Sequence, residues 1–170
     1  MRADSIPAAG PPVGQRGVIA GILRGVRWLA LDVGSRRVGV ALSDEGETVV
    51  TPLSAVPWRG PASLAETVAS LVARWAADGV VVGRPTTRRG GGRGEVRVAA
   101  VVAALERRVS APVVTVDERG TTGIAQAQLA ESGIPRRRWP ELVDSLAAKA
   151  ILDTWLESRR RSSGDGSTCR

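Results

Sequence analysis

The chain has 170 residues, 43% of them apolar, which is enough for one domain with a hydrophobic core of its own. No apolar run approaches the roughly 18–20 residues a membrane span needs, and the single Cys169 excludes both an internal disulfide framework and a zinc cluster. Twenty-four basic residues, all but one of them arginine, outweigh 17 acids for a net charge of +7, a surplus that favours an anionic partner, nucleic acid ahead of membrane.

Residues 1–25 mix Pro, Gly, Ala and Ser without any period and read as a disordered extension. The apolar run Val18–Leu23 within it is shorter than the about 7–15 residues of a secretory core, so a cytoplasmic location is expected. The functional start is expected near Val26, with a domain over 26–158 and a basic disordered tail over 159–170. Residues 27–33 form an apolar strand, and 38–43 and 48–56 supply two more, close enough to pair as hairpins. Ser63-Leu64-Ala65-Glu66 has the capping-box pattern and opens a helix to about Ala77. Gly79–Gly83 has no polar face and suits a buried parallel strand. An Arg- and Gly-rich loop over 84–94 leads to a helix ending near Val109, with Val98, Val101, Val102 and Leu105 on one face. A strand then ends in Asp117-Glu118. Thr121 or Thr122 can cap a third helix that Gly133 terminates, and Pro140 suits the first turn of a last helix reaching about Ser158. The order predicts an α/β domain: a three-strand antiparallel meander, then two parallel strands, in one mixed five-stranded sheet flanked by helices.

Acids stand out in apolar surroundings, where an unpaired carboxylate costs several kcal/mol. Asp32 shares a strand face with Trp28 and Ala30, although an acid before Gly34 also suits a turn. Asp117 and Glu118 end a parallel strand, where open α/β sheets bind ligands; they point to opposite faces, and position does not choose between them. On the last helix Asp144 aligns with Ala148, Ile151 and Trp155, while Lys149, Asp153 and Glu157 cluster opposite. An acid near a helix start is also favoured by the macrodipole. The chain has no histidine, so three converging acids suggest a site for a hard cation, Mg²⁺ or Mn²⁺.

The segment Leu31-Asp32-Val33-Gly34-Ser35-Arg36-Arg37-Val38-Gly39-Val40-Ala41, with Ser43-Asp44, resembles the opening motif of the YqgF (RuvX-type) family. Val81-Val82-Gly83-Arg84-Pro85 with Gly90, Asp117-Glu118-Arg119-Gly120-Thr121-Thr122 and Val143-Asp144-Ser145-Leu146-Ala147-Ala148 agree in order and spacing. The family is described as Holliday junction resolvases or pre-16S rRNA nucleases. The resemblance implies a ribonuclease H-like fold with the first strand central, and Asp32, Glu118 and Asp144 as catalytic and metal-binding acids. Arg84 and Gly120 depart from the leucines usual at those places.

Such acids can hold two cations about 3.5–4 Å apart that clamp a scissile phosphate. The expected function is a metal-dependent endonuclease processing the 5′ end of pre-16S rRNA, with junction resolution or non-catalytic nucleic-acid binding as alternatives. An ATP-binding protein of the actin and sugar-kinase superfamily is a further rival, because Asp32-Val33-Gly34 also resembles its phosphate loop. Phosphate contacts are expected from Arg36 and Arg37, from Arg119, and from Arg84, Arg88, Arg89 and Arg93 in the glycine-rich loop, with Arg136, Arg137 and Arg138 in reserve. Trp28, Trp75 and Trp155 read as core, and Trp58 and Trp139 as exposed. The sequence shows no clear dimer interface, so a monomer or weak homodimer is expected.

Overall fold

The computed structural model describes residues 25–85, 92–118 and 139–164. Three strands come first: β1 (Trp28–Val33), β2 (Arg37–Ser43) and β3 (Val50–Pro57). Helix α1 (Pro61–Trp75), strand β4 (Gly79–Pro85), helix α2 (Arg93–Arg108) and strand β5 (Val113–Glu118) follow, and α3 spans Trp139–Gly164. The sheet order is β3-β2-β1-β4-β5. β2 pairs antiparallel with both β1 and β3, whereas β4 runs parallel to both β1 and β5. This is the mixed sheet expected from the sequence, with β1 at its centre.

Strand alternation divides the core in two. Leu29, Leu31 and Val33 join Val38, Val40, Val80 and Val82 on the face covered by α1 and α2, with Leu64, Val68, Val98, Val101 and Leu105 packed against them. Trp28 and Ala30 join Ala41, Val50 and Val81 on the other face, under Ala148, Ile151, Leu152 and Leu156 of α3. Because helices cover both faces, β1 reads as an almost continuous apolar run. Each fully buried leucine contributes about 1.5–3 kcal/mol of transfer free energy. Edge strand β3 carries Pro52, whose missing N–H an edge tolerates.

The structure differs from the sequence-based elements in three places. Helix α1 starts at Pro61, two residues before the expected capping box, with Gly60 as N-cap at φ 101°. Proline pre-sets the helical φ and needs no N–H in the first turn, and glycine accommodates the positive φ before it. Strand β4 runs on through Arg84 and Pro85, so Arg84 belongs to the sheet rather than to a loop. Helix α3 continues six residues past Ser158, to Gly164, so the expected tail over 159–170 begins as helix. The cause is a set of contacts on Arg159 and Arg160. The Arg159 guanidinium lies 5.0 Å from the Trp28 ring centre and 5.9 Å from that of Trp155, and 3.4 Å from a Glu47 carboxylate oxygen. Arg160 donates to the Glu47 carbonyl oxygen. These contacts tie the last turns of α3 to the β2–β3 turn.

Helix formation expected from Thr121 to Gly133 lies outside the described residues, as do residues 1–24. Among the described helices, none is long and apolar enough to cross a membrane.

Candidate active site

Asp32 is the one half-buried position in β1, whose other five residues are buried. In the β1–β2 ladder its direct partner is Gly39. Directly paired residues project to the same side, so Gly39 and Asp32 share the α3 face with Ala30 and Ala41. Helix α3 descends onto that spot. A Cβ placed on Gly39 would lie 1.8 Å from the carbonyl oxygen of Asp144 and 3.0 Å from the backbone nitrogen of Ser145. The absent side chain at position 39 is therefore what lets the helix backbone touch the sheet, and the contact sets Asp144 beside Asp32's cross-strand partner. An isolated glycine inside a strand carries that signal, a close backbone approach, and it was readable at Gly39.

Arg37 lies two residues before Gly39 on β2 and so projects to the same face. Its Nε is 3.2 Å from Oδ2 of Asp144, with side chains 38% and 29% exposed. Half-exposed pairs of this kind contribute little to stability, so the geometry of the contact matters more than its strength. Arg36, in the turn after β1, is exposed, and its carbonyl accepts from the Trp58 backbone N–H at 2.9 Å.

At the end of β5 the register separates the two candidate acids. Val114 and Val116 pack with the α3-side core and Val113 with the other. Asp117 follows Val113 in alternation, on the α1/α2 side. It accepts from Arg84 Nε at 2.8 Å and Nη2 at 2.6 Å, one rung across the β4–β5 ladder. Position 118, paired with Pro85 at the same end of the sheet, has the register parity of Val114 and Val116. It stands about two strand spacings, roughly 10 Å, across the sheet from β1. Glu118 is described by its backbone pairing, and among the described residues no three Asp, Glu, His or Cys side chains already form a metal cage.

Arg84, expected to reach a phosphate backbone from a mobile loop, is held by Asp117 on the face away from Asp32. Arg93 is exposed at the start of α2. Arg88, Arg89, Arg119, Gly120 and Arg136–Arg138 lie outside the described residues. Trp58, expected in an exposed loop, packs partly buried on the α1/α2-side core with the Arg97 guanidinium 5.7 Å from its ring, and Trp139 is also partly buried.

Ser43 and Asp44, quoted with the opening motif, lie at the far end of β2 and do structural work there. Ser43 Oγ accepts from the Trp28 backbone N–H at 2.9 Å in the buried interior. Asp44 Oδ1 accepts from the backbone N–H groups of Thr48 at 2.7 Å and Val49 at 2.9 Å. Those bonds, Val49 first, hold its carboxyl below the ordinary carboxylate range.

A family model described as RuvX, Holliday junction resolvase, matches residues 26–158. The chain is 42% identical over 147 residues to a Rhodococcus opacus (strain B4) protein named "Putative pre-16S rRNA nuclease", with 82% of each chain covered. A Desulforudis audaxviator protein of the same name is 35% identical over 137 residues, covering 79% of this chain and 96% of that one. Among solved structures, T. thermophilus RuvC in complex with Holliday junction substrate superposes with a TM-score of 0.53 at 14% identity, over 81% of this chain and 97% of that one. Fowlpox virus resolvase in complex with Holliday junction DNA gives 0.51 at 11% identity, over 79% and 99%. Identities this low establish the fold alone, which is ribonuclease H-like.

Proposed function

Since the chain belongs to the RuvX family, we propose that it is a metal-dependent endonuclease that hydrolyses phosphodiester bonds in structured RNA, processing the 5′ end of pre-16S rRNA. The observation that carries this reading is the seating of Asp144 over Gly39, the direct ladder partner of Asp32. It joins two acids 112 positions apart in sequence at one end of the sheet. Position 118 ends β5 at that same end and in the same register parity, while Asp117 is committed to Arg84 on the other face. Asp32, Glu118 and Asp144 would hold the cation, Mg²⁺ or Mn²⁺, since carboxylate oxygens without imidazole or thiolate suit hard ions. When bound, such ions supply an activated water and stabilise charge on the leaving oxygen.

Around the acids, the chain's own contribution is positive charge and shape. Arg36 and Arg37 project from the turn and strand beside Asp32, and Arg88, Arg89, Arg93 and Arg119 complete the basic surface in this proposal. Arg84 is left out because Asp117 engages it. Five tryptophans with no Tyr or Phe leave little to stack bases on, so recognition is of backbone and shape.

A second reading is favoured by the description of the matching family: resolution of four-way DNA junctions. That reaction needs two symmetric cuts and hence paired sites in a dimer, whereas trimming an RNA end needs one site. Purified full-length protein assayed on precursor 16S rRNA and on four-way junctions, with Mg²⁺, Mn²⁺ or EDTA, separates the readings. Cleavage of the RNA that EDTA abolishes is the expected result. Asp32→Asn, Glu118→Gln and Asp144→Asn should each reduce it by at least about 100-fold while keeping the unfolding midpoint. Full activity in any of the three removes that residue from the site, and metal-independent binding without cleavage of either substrate leaves only a nucleic-acid-binding module.

A further inference from the structure

The proposed acids do not stand unattended: the Arg37 guanidinium is already on Asp144. We infer that Arg37 is the counter-ion that Asp144 gives up when a divalent cation is taken, so that arginine and cation compete for one carboxylate. This rests on the reading of Asp144 as part of the cation site. Three observations support it. Arg37, Gly39 and Asp32's rung lie on one face of the β1–β2 ladder, so the guanidinium reaches Asp144 from within the site rather than from the solvent side of α3. The Nε–Oδ2 approach is 3.2 Å, longer than the about 2.7–2.9 Å of the charge-assisted hydrogen bonds by which arginine clamps a carboxylate. Both side chains are partly exposed, at 38% and 29%, so the guanidinium has room to leave without unpacking the core.

Electrostatics makes the two partners exclusive. A dication on the Asp144 carboxylate would stand a few ångströms from a guanidinium on the same group, and like charges at that distance repel strongly in a half-buried pocket. Without the cation, Arg37 supplies compensating charge to Asp144, whose backbone lies against the rung of Asp32. When the cation takes that role, the guanidinium is released at the mouth of the site, where a substrate phosphate arrives. Arg37 is thus a positioning residue for Asp144.

The test measures Mn²⁺ affinity of the full chain without nucleic acid, by electron paramagnetic resonance or calorimetry, alongside urea midpoints. Arg36→Gln removes the same charge one residue away and serves as the electrostatic control. Arg37→Gln should bind Mn²⁺ about two- to fivefold more tightly than Arg36→Gln, the size expected for loss of a partly exposed ion pair. Arg37→Lys, which keeps the charge, should stay near the wild type. In an Asp144→Asn background the gain from Arg37→Gln should vanish, because the shared carboxylate is gone. Equal affinity in Arg37→Gln and Arg36→Gln, or weaker binding in Arg37→Gln, overturns the exchange while leaving the three-acid site standing, provided Asp144→Asn alone weakens Mn²⁺ binding. If Asp144→Asn leaves Mn²⁺ binding unchanged, the cation-site reading fails and the exchange fails with it.

Discussion

At the scale of single residues, Gly39 sets how closely the backbone of Asp144 approaches the rung of Asp32. Its missing Cβ is replaced by the Asp144 carbonyl oxygen, and a methyl group there would sit 1.8 Å from that oxygen. The neighbour is helix backbone, which cannot rotate away as a side chain could. Gly39→Ala should therefore push α3 off the sheet, costing about 1–3 kcal/mol by the measure of overpacked cores, read as a lower urea midpoint. Cleavage per folded molecule should fall as well, since the shift moves Asp144 away from Asp32's rung. An alanine variant with wild-type stability and activity would show that the helix does not rely on this contact. Asp32 and Asp144 were identifiable in the sequence as acids among apolar neighbours. Which of positions 117 and 118 lies on the α3 face was not, because adjacent strand residues differ only in face and the face is set by pairing with β4.

Among the elements, the β2–β3 turn and the end of α3 form a second joint, at the end of the sheet away from Asp32. Trp28 Nε1 donates to Glu47 Oε1 at 2.8 Å, the Trp28 and Trp155 rings meet edge-on at 5.6 Å, and Arg159 lies over both. Truncation after Ser158 should lower stability by about 1 kcal/mol, the order of an exposed cation–π contact, with cleavage per folded molecule preserved. A solvated tail would predict no change in a thermal melt. The run Arg159-Arg160-Arg161 looked like tail because charge alone carries no record of a ring or a carbonyl brought near by folding. Asp44 closes the same turn, and its sign is definite. A carboxyl depressed in the folded state contributes stability at neutral pH that is lost as pH falls through the depressed value. The stability difference between wild type and Asp44→Ala should accordingly shrink below the ordinary carboxylate range, as followed by urea unfolding across an acid series. A pH-independent difference would assign Asp44's effect to packing instead of charge.

For the whole molecule, the relevant quantity is the +7 charge and how much of it a polyanion uses. Arg84, Arg159 and Arg37 are each engaged with an acid in the structure, so the surplus available to phosphate is smaller than the arginine count suggests. With about five phosphate contacts, the logarithm of the affinity for RNA should fall against the logarithm of salt with a slope near −4. Filter binding between low and moderate salt with Ca²⁺ in place of Mg²⁺ checks this. A slope near zero would mean that the arginines are solvated and that affinity comes from elsewhere.

The mixed sheet, its strand sequence and the positions of the described helices follow from local signals. Runs of Val, Leu and Ala with the period of a strand or a helix can be buried in few ways, and short meander connections leave the first three strands antiparallel. The apolar run over 27–33 made β1 legible as a strand with one acid on it, while its central place was what the family resemblance implied. What only the tertiary structure decided is which groups become neighbours across the chain: Asp144 on Gly39, Arg37 on Asp144, Asp117 on Arg84, Arg159 on Trp28. Those pairings depend on ladder register and on how closely a helix can lie on a sheet. Both are set by the packing of the entire core, to which residues far apart in sequence contribute at once.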